Sequence, residues 1–205
     1  MIAVAELAFT AAYWIEGFTR PGYNWPAESM SLLSLGPGGW MMQINCVALG
    51  VLSLGAALVW RRILRPGRAA AAFPICQALL GIGLLGIGLF SQDPTAAYPP
   101  GGQVPVIPSL HGDLHNVFAG IAVTAIAVSA FALARRLAVE PGWGAPWAAY
   151  AVATGIMTVG FMTGFGVAGG QGGFAGLFER LAIGVGLPLL GAVVTARLLW
   201  QARGR

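Results

Sequence analysis

Two histidines four residues apart are the most chemically suggestive feature of the chain. His111 and His115 lie in SQDPTAAYPPGGQVPVIPSLHGDLH, residues 91–115, between two long apolar runs. On a helix this spacing places both imidazoles on one face, about 5–6 Å apart at Cβ. Such a pair suits zinc or a similar divalent ion, with Asp93 or Glu28 as the third ligand. The alternatives are acid–base or hydrogen-bonding work without a metal, and a purely structural role.

Asp93 comes directly before a proline at the end of the preceding apolar run. Asp before Pro is a common start of a turn, which would explain it structurally. A carboxylate here could instead accept a hydrogen bond from a histidine, bind a cation or act as a general acid–base. Asp113 lies between the histidines and points away from them on a helix, so we do not expect it to be the third ligand.

A pair of serines lies in YNWPAESMSLLSLGPGGW, the connection after the first apolar run. Pro26 suits the start of a helix and Gly36 its end, which predicts a short interfacial or re-entrant helix at 27–35. Ser31 and Ser34 would then share nearly one face. Either could be a nucleophile beside a base, or could bond the local backbone.

Charged residues inside or at the ends of apolar runs carry a functional expectation. Glu6 and Glu16 lie within the first run, and Glu179 and Arg180 open the last one. A glutamate at a helix N-terminus is favoured by the helix dipole, and Arg180 could neutralise a partner. The candidate catalytic residues are therefore Asp93, His111, His115, Glu28, Ser34, Ser31 and Glu179.

The composition is that of an integral membrane protein. The chain is 57% hydrophobic and 9% charged, with a mean hydropathy of +0.76, whereas soluble domains carry about a quarter charged residues. The net charge of +4 does not indicate a nucleic-acid partner. Cys46 and Cys76 form no CxxC motif, and two histidines on one helix cannot clamp a haem from both faces. We therefore expect neither a cysteine metal site nor haem.

Apolar runs long enough to cross about 30 Å of hydrocarbon predict six transmembrane helices in one all-α domain, 1–205. The spans are about 2–19, 39–61, 70–91, 112–135, 144–166 and 177–200. The first is the weakest because it contains Glu6 and Glu16. Glycines within the spans, such as Gly81 and Gly86, predict close packing of helices.

The arginines predict the orientation of this six-helix bundle. All but Arg20 and Arg180 fall on one side of the serpentine, at Arg61, Arg62, Arg65, Arg68, Arg135, Arg136, Arg197, Arg203 and Arg205. By the positive-inside rule both termini are cytoplasmic. The connections at 20–38, 92–111 and 167–176 then face outwards, and the candidate residues lie in or near them.

The order of these blocks resembles a bacterial multi-pass membrane family catalogued as domain of unknown function 998. The resemblance rests on SLLSLGPGGW, GLFSQDP, YPPG, SLHGDLH and GLFER, which lie in this order between residues 31 and 180. It covers most of the chain. It implies a six-helix bundle in a bacterial cytoplasmic membrane and carries no activity.

A looser similarity exists to membrane hydrolases of the alkaline ceramidase and adiponectin-receptor type. Those proteins also combine a serine, an aspartate and an HxxxH pair, but they have seven helices and a third histidine on zinc. This chain has two histidines. The similarity implies a hydrolase acting on a lipid, without the complete zinc site.

Three functions are consistent with this sequence. The first is a membrane-embedded hydrolase of a lipid-like substrate, with His111 and His115 holding a metal or water. The second is an isoprenoid cyclase or isomerase, with Asp93 or Glu28 as proton donor and tryptophans stabilising a cation. The third is a non-enzymatic lipid-binding or interaction protein. The sequence leaves the oligomeric state open.

Overall fold

The computed structural model of the protein describes residues 1–67, 69–139, 144–170 and 172–187. The fold is helical. Five long helices are α1 (Ile2–Thr19), α2 (Gly39–Ile63), α3 (Ala72–Leu89), α4 (Leu110–Leu137) and α5 (Gly144–Val167), with a short 3₁₀ helix at Met30–Ser34. The chain is helical again over 175–187, and this segment is α6.

The predicted helices lie where the apolar runs place them. Helices α1 to α5 begin and end within two residues of the predicted bounds. Helix α6 begins two residues before the predicted 177. Its predicted end at 200 lies outside the described residues, as do Arg68, Arg197, Arg203 and Arg205.

Four of the described helices, α2 to α5, are long and apolar enough to cross a membrane. The chain is therefore a multi-helix protein suited to a lipid bilayer. Helix α1 has the predicted length but is not among these four. Its two glutamates lower its hydropathy, and both are buried.

The predicted short helix at 27–35 is present but shorter than predicted. The structure has a five-residue 3₁₀ helix at Met30–Ser34, and Pro26 lies in a turn before it. The Ser29 side chain caps the helix by accepting the Ser31 N–H at 3.2 Å. Residues three apart eclipse in a 3₁₀ helix, so Ser31 and Ser34 do share one face.

A side-chain cap and charged residues in its first and last turns fix the ends of helix α4. The Ser109 hydroxyl accepts the Gly112 N–H at 3.0 Å and caps the N-terminus. Asp113 lies in the first turn, and Arg135 and Arg136 lie in the last. These charges oppose the partial charges of the helix dipole at both ends.

Close packing of helices at glycine, as predicted, is visible between α2 and α3. A Cβ on Gly81 would lie 2.8 Å from the Gly50 carbonyl oxygen. A Cβ on Gly86 would lie 2.0 Å from the Phe118 ring, where α3 meets α4. Larger residues at these two positions would push the helices apart.

The bundle has two apolar clusters, one towards each end. The first contains residues of the 3₁₀ helix and the aromatic rings of Tyr23 and Tyr98. The second surrounds Trp60 and Phe73, beside the C-termini of α2 and α4. At this second end Arg136 donates to the carbonyl of Leu64 at 2.6 Å. The candidate site lies at the first end.

Candidate functional site

The connection between α1 and α2, residues 20–38, is fixed at one end by Arg20. This side chain is buried and forms an ion pair with Glu16 one turn earlier. Its guanidinium also donates to the carbonyls of Leu35, Pro37 and Gly38, at 3.3, 2.9 and 3.1 Å. Arg20 therefore ties the end of α1 to the start of α2.

Arg180 fixes the middle of the same connection. It is the largest fully buried side chain among the described residues. Nη1 donates to the carbonyls of Trp25, Glu28 and Gly176 at 2.9, 3.1 and 3.0 Å, and Nη2 donates to the Tyr23 hydroxyl at 2.6 Å. Charge-assisted bonds of this kind are strong when water is excluded. Arg180 thus links α6 to the first connection.

The two arginines that depart from the charge asymmetry of the sequence are thereby explained. Arg20 and Arg180 are both buried and both donate to backbone carbonyls of one connection. The sequence offered Arg180 only as a charge partner. Its role as a cross-link was missed because the carbonyls of Trp25 and Glu28, which it binds, lie about 150 residues away in the chain.

Glu179 is the point where α6 meets the 3₁₀ helix. Its carboxylate accepts the Met30 N–H at 2.6 Å. Ser29 and Ser31 line the same cavity wall as Glu179, and the Arg180 charge lies nearby. The side chain is buried. Of the seven candidate residues, Ser31 and Glu179 lie beside the same two cavities.

A cavity of about 430 Å³, the lateral cavity, lies beside this carboxylate. Its walls come from the 3₁₀ helix region, the end of α3, and helices α4, α5 and α6. The lining residues are Ser29, Ser31, Leu32, Gln92, Asn116, Ala119, Gly120, Val123, Thr124, Met162, Phe165, Gly169, Gly170 and Glu179. Asn116 and Gly120 are exposed, so the cavity reaches the surface of the bundle along α4.

A second, smaller cavity of about 50 Å³ lies in the bundle interior. This central cavity is lined mainly by apolar side chains of α1, α2, α3, α4 and α6. Ser31, Ala119, Val123 and Glu179 line both cavities. The carboxyl group of Glu179 therefore lies in the wall between an apolar interior and a larger space that reaches the surface.

Ser34 lines the central cavity, but its hydroxyl is hydrogen-bonded to the local backbone. It donates to the Ser31 carbonyl at 2.7 Å, the structural alternative considered for these serines. Neither cavity is lined by Asp93, His111 or His115. The structure therefore places Ser31 and Ser34 beside Glu179 and away from Asp93 and both histidines.

Asp93 is bound to the N-terminus of α4. Its carboxylate accepts the Ser109 N–H at 2.9 Å and the Ser109 hydroxyl at 2.5 Å. A Cβ on Gly112 would lie 2.3 Å from Oδ2, so only glycine permits this approach. The positive end of the helix dipole favours a carboxylate at this point. These contacts account for Asp93 structurally.

The histidines both meet Phe90, but in different ways. His115 is buried, and its Nδ1 donates to the Phe90 carbonyl at 2.7 Å. Its Nε2 has no hydrogen-bond partner among the described residues. His111 is exposed, and its ring packs edge-on against the Phe90 ring with centroids 5.4 Å apart.

A complete metal site does not assemble in the described part of the chain. No three His, Cys, Asp or Glu side chains lie together there in a way that could hold an ion. Asp93 is engaged by Ser109, and the Glu28 carboxylate accepts the Asn24 N–H at 3.0 Å. Metal binding by the histidine pair stays an untested prediction, without a third ligand.

Glu28 lies beside the Arg180 cross-link and outside both cavities. Burial raises the pKa of its carboxyl above the ordinary 4.5, while the Asn24 N–H and the Arg180 charge oppose this shift. Its carbonyl accepts from Arg180 and from Tyr23. Glu28 therefore positions the connection, and its carboxyl is not directed at a ligand space.

Two cavity residues escaped sequence analysis. Gln92 and Asn116 line the lateral cavity, each directly beside a residue that was selected, Asp93 or His115. The Gln92 side-chain oxygen is buried and has no hydrogen-bond partner among the described residues. Polar residues at the ends of apolar runs were the available signal, but sequence alone does not show which neighbour faces the cavity.

Comparison with known proteins gives one match. The family model described as "Protein of unknown function (DUF998)" matches residues 3–196. No curated protein and no solved structure matches the chain. The looser similarity to membrane hydrolases of the alkaline ceramidase type has no support from these comparisons.

Proposed function

Because the chain belongs to the DUF998 family, whose function is unknown, its role must be inferred from its own structure, and we propose that it binds a lipid-like amphiphile in the lateral cavity. The observation that carries this proposal is the buried Glu179 carboxyl group in the wall of a cavity that combines apolar and polar side chains. If α6 also lies in the membrane, a buried ionisable group at its start is expected to be functional.

The size of the two cavities favours the lateral one as the binding site. About 430 Å³ falls in the range of small-molecule pockets. The central cavity, at about 50 Å³, has room for a few water molecules only. A ligand would therefore occupy the lateral cavity, with the central cavity beneath its polar end.

The lining defines the chemistry of this ligand. Val123, Met162 and Phe165 offer apolar contact, worth about 0.8 kcal/mol per buried CH₂ group. Glu179 would form a hydrogen bond with the polar end of the ligand, worth about 0.5–1.5 kcal/mol. An alcohol or an ammonium group on a hydrocarbon chain satisfies both requirements.

The ligand would enter sideways from the bilayer. The exposed Asn116 and Gly120 lie on α4, a helix suited to crossing the membrane, and both line the lateral cavity. An apolar molecule dissolved in the bilayer could therefore reach Glu179 without passing through water. This access supports a lipid-like ligand over a water-soluble one.

The proposed setting is a bacterial cytoplasmic membrane crossed six times, with both termini in the cytoplasm. The arginine pairs at the C-termini of α2 and α4 lie at the end of the bundle opposite the candidate site, which supports this orientation. The lateral cavity then lies at the extracytoplasmic level. The same proposal includes a single domain, in which α1 and α6 also cross the membrane.

A second candidate function is acid-catalysed rearrangement of an isoprenoid. Glu179 favours it because no other carboxyl of the described residues lines either cavity. Glu179 would deliver a proton to a double bond of the ligand, replacing Asp93 and Glu28 as the donor. The hydrolase hypothesis is less favoured, because Ser31 and Ser34 share no cavity with either histidine.

The test is photo-crosslinking in lipid nanodiscs with an isoprenoid alcohol that carries a diazirine. We expect saturable labelling of the unchanged protein and at least about 10-fold weaker binding to Glu179→Gln, which no longer has the carboxyl group. Asp113→Asn is the matched control, because Asp113 is an exposed acid outside both cavities. It should bind like the unchanged protein.

The same labelling experiment can also contradict the proposed role of Glu179. Equal labelling of the unchanged protein and Glu179→Gln would show that the carboxyl group does not recognise the ligand. Chromatography of the recovered probe separates the two candidates. Unchanged alcohol supports binding alone, whereas a rearranged product that disappears in Glu179→Gln supports the acid-catalysed reaction.

A further inference from the structure

The connection between α3 and α4 exposes large apolar side chains at one place. Val106 is 101% exposed, Ile107 78% and Val104 52%. No charged residue lies between Asp93 and Leu110, so the segment QVPVIPSL, residues 103–110, offers no charge to water. Exposed apolar patches of this kind mark contact surfaces.

This apolar segment continues onto the surface of α4. Leu110, the first residue of the helix, is 72% exposed, and Val117 two turns on is 58% exposed. Helix α4 is one of the four helices suited to crossing the membrane. Side chains on its outer surface would face lipid, so the segment lies directly before a helix with a lipid-facing surface. The exposed His111, Asp113 and Asn116 lie between Leu110 and Val117 and mark the polar level of the interface on α4.

We propose that residues 103–110 anchor this end of the protein in the interfacial layer of the bilayer. The partner is the lipid surface itself. A protein partner would be expected to meet a rim of polar and charged groups, and the segment contains no charged residue. Since the segment has no charge, anionic lipid is not required.

The backbone sets how deep the segment can lie. Pro105 and Pro108 have no N–H, which removes two donors that hydrocarbon could not satisfy. The N–H groups of Val104, Val106 and Ile107 have no backbone partner in the described structure. They therefore need hydrated headgroups, and only the side chains would enter the apolar layer.

The anchor would hold the start of α4 at the membrane surface. Ser109, within the segment, caps α4 and binds Asp93, next to Gln92 in the lateral cavity. The inference concerns the membrane contact of this segment. It rests on α4 crossing the bilayer and does not require ligand binding.

The test uses single cysteines in a background with Cys46→Ala and Cys76→Ala. Val106→Cys and Val117→Cys are labelled with an environment-sensitive fluorophore in phosphatidylcholine nanodiscs. We expect the label at 106 to be quenched most by lipids with a nitroxide near the headgroup. The label at 117 should be quenched most by lipids with a nitroxide deeper in the chain.

Two results would overturn the anchor. The first is quenching at 106 by aqueous iodide only, which would place the segment in water. Quenching at 117 by lipid nitroxide is the control, because it would show that α4 still crosses the bilayer. Protection at 106 from both lipid nitroxide and iodide would mean that protein covers the segment. Adding anionic lipid should leave the quenching at 106 unchanged.

Discussion

Buried charged side chains position the candidate site by binding backbone groups. Arg20 and Arg180 donate to carbonyls of residues 20–38, and Glu179 accepts the Met30 N–H. A charge removed from water is costly unless such partners replace the water. These three residues therefore stabilise the connection only while their partners stay in place.

Asp93 allows a test of whether its carboxylate has a structural role at the N-terminus of α4. Asp93→Asn and Ser109→Ala each remove part of one capping arrangement, so we expect their effects on the free energy of unfolding to be non-additive by about 1–2 kcal/mol. The measurement is a double-mutant cycle from denaturant unfolding of purified protein. Additive effects would indicate that the carboxylate acts independently of the cap.

Glu28 provides a pH test. Its folded-state pKa is raised by burial, so the folded state holds the proton at pH values where the unfolded chain has lost it. Stability from this group is full below the ordinary 4.5 and falls as the pH rises through the raised value. Glu28→Gln should therefore raise the melting temperature at about pH 8 and not at about pH 4.

The amide of this variant can still accept the Asn24 N–H, so the hydrogen bond itself is kept. Glu179→Gln is not a suitable control, because that residue lines the cavities. Asp113→Asn is the matched control, because this acid is exposed and lies outside the first connection. A benefit of Glu28→Gln that is greatest in acid would contradict a raised pKa for the Glu28 carboxyl.

At the scale of elements, the approach of α6 to the first connection depends on one glycine. A Cβ on Gly176 would lie 2.1 Å from the Glu28 carbonyl oxygen and 2.5 Å from that of Trp25. Gly176→Ala should therefore push the connection away from Arg180. We expect a loss of about 1–3 kcal/mol, measured as a lower denaturant midpoint.

Gly166→Ala is the matched control for this substitution. A Cβ there meets nothing within 4 Å, and the residue lies in α5. Alanine in a helix is favoured over glycine, so this variant should be neutral or slightly more stable. Equal destabilisation by both substitutions would contradict the close approach of α6.

Helix positions followed from the sequence because apolar length decides them locally. The extent of the 3₁₀ helix did not, since Met30 is bound by Glu179, which is 149 residues away. The site divides in the same way. Ser31 and Glu179, two of the seven candidate residues, line the same cavities. His115 instead pairs with a backbone carbonyl of Phe90, for which side-chain types give no signal.

At the scale of the molecule, charge is distributed unequally between the two ends. The arginines at the ends of α2 and α4 lie beside the cluster around Trp60, whereas Arg20 and Arg180 are buried at the opposite end. Surface charge at one end and buried charge at the other suit a protein that is oriented in a bilayer. The cavities lie at the end with buried charge, next to the membrane anchor proposed for 103–110.

The central claim is that the lateral cavity holds a lipid-like molecule at Glu179. Peptide mapping of the photo-crosslinked isoprenoid alcohol tests it most directly. The account predicts adducts concentrated on the peptides that contain Val123, Met162 and Phe165, and at least about 10-fold weaker binding in Glu179→Gln. Adducts spread evenly over the exposed surfaces of α2 to α5, and unaffected by Glu179→Gln, would contradict it.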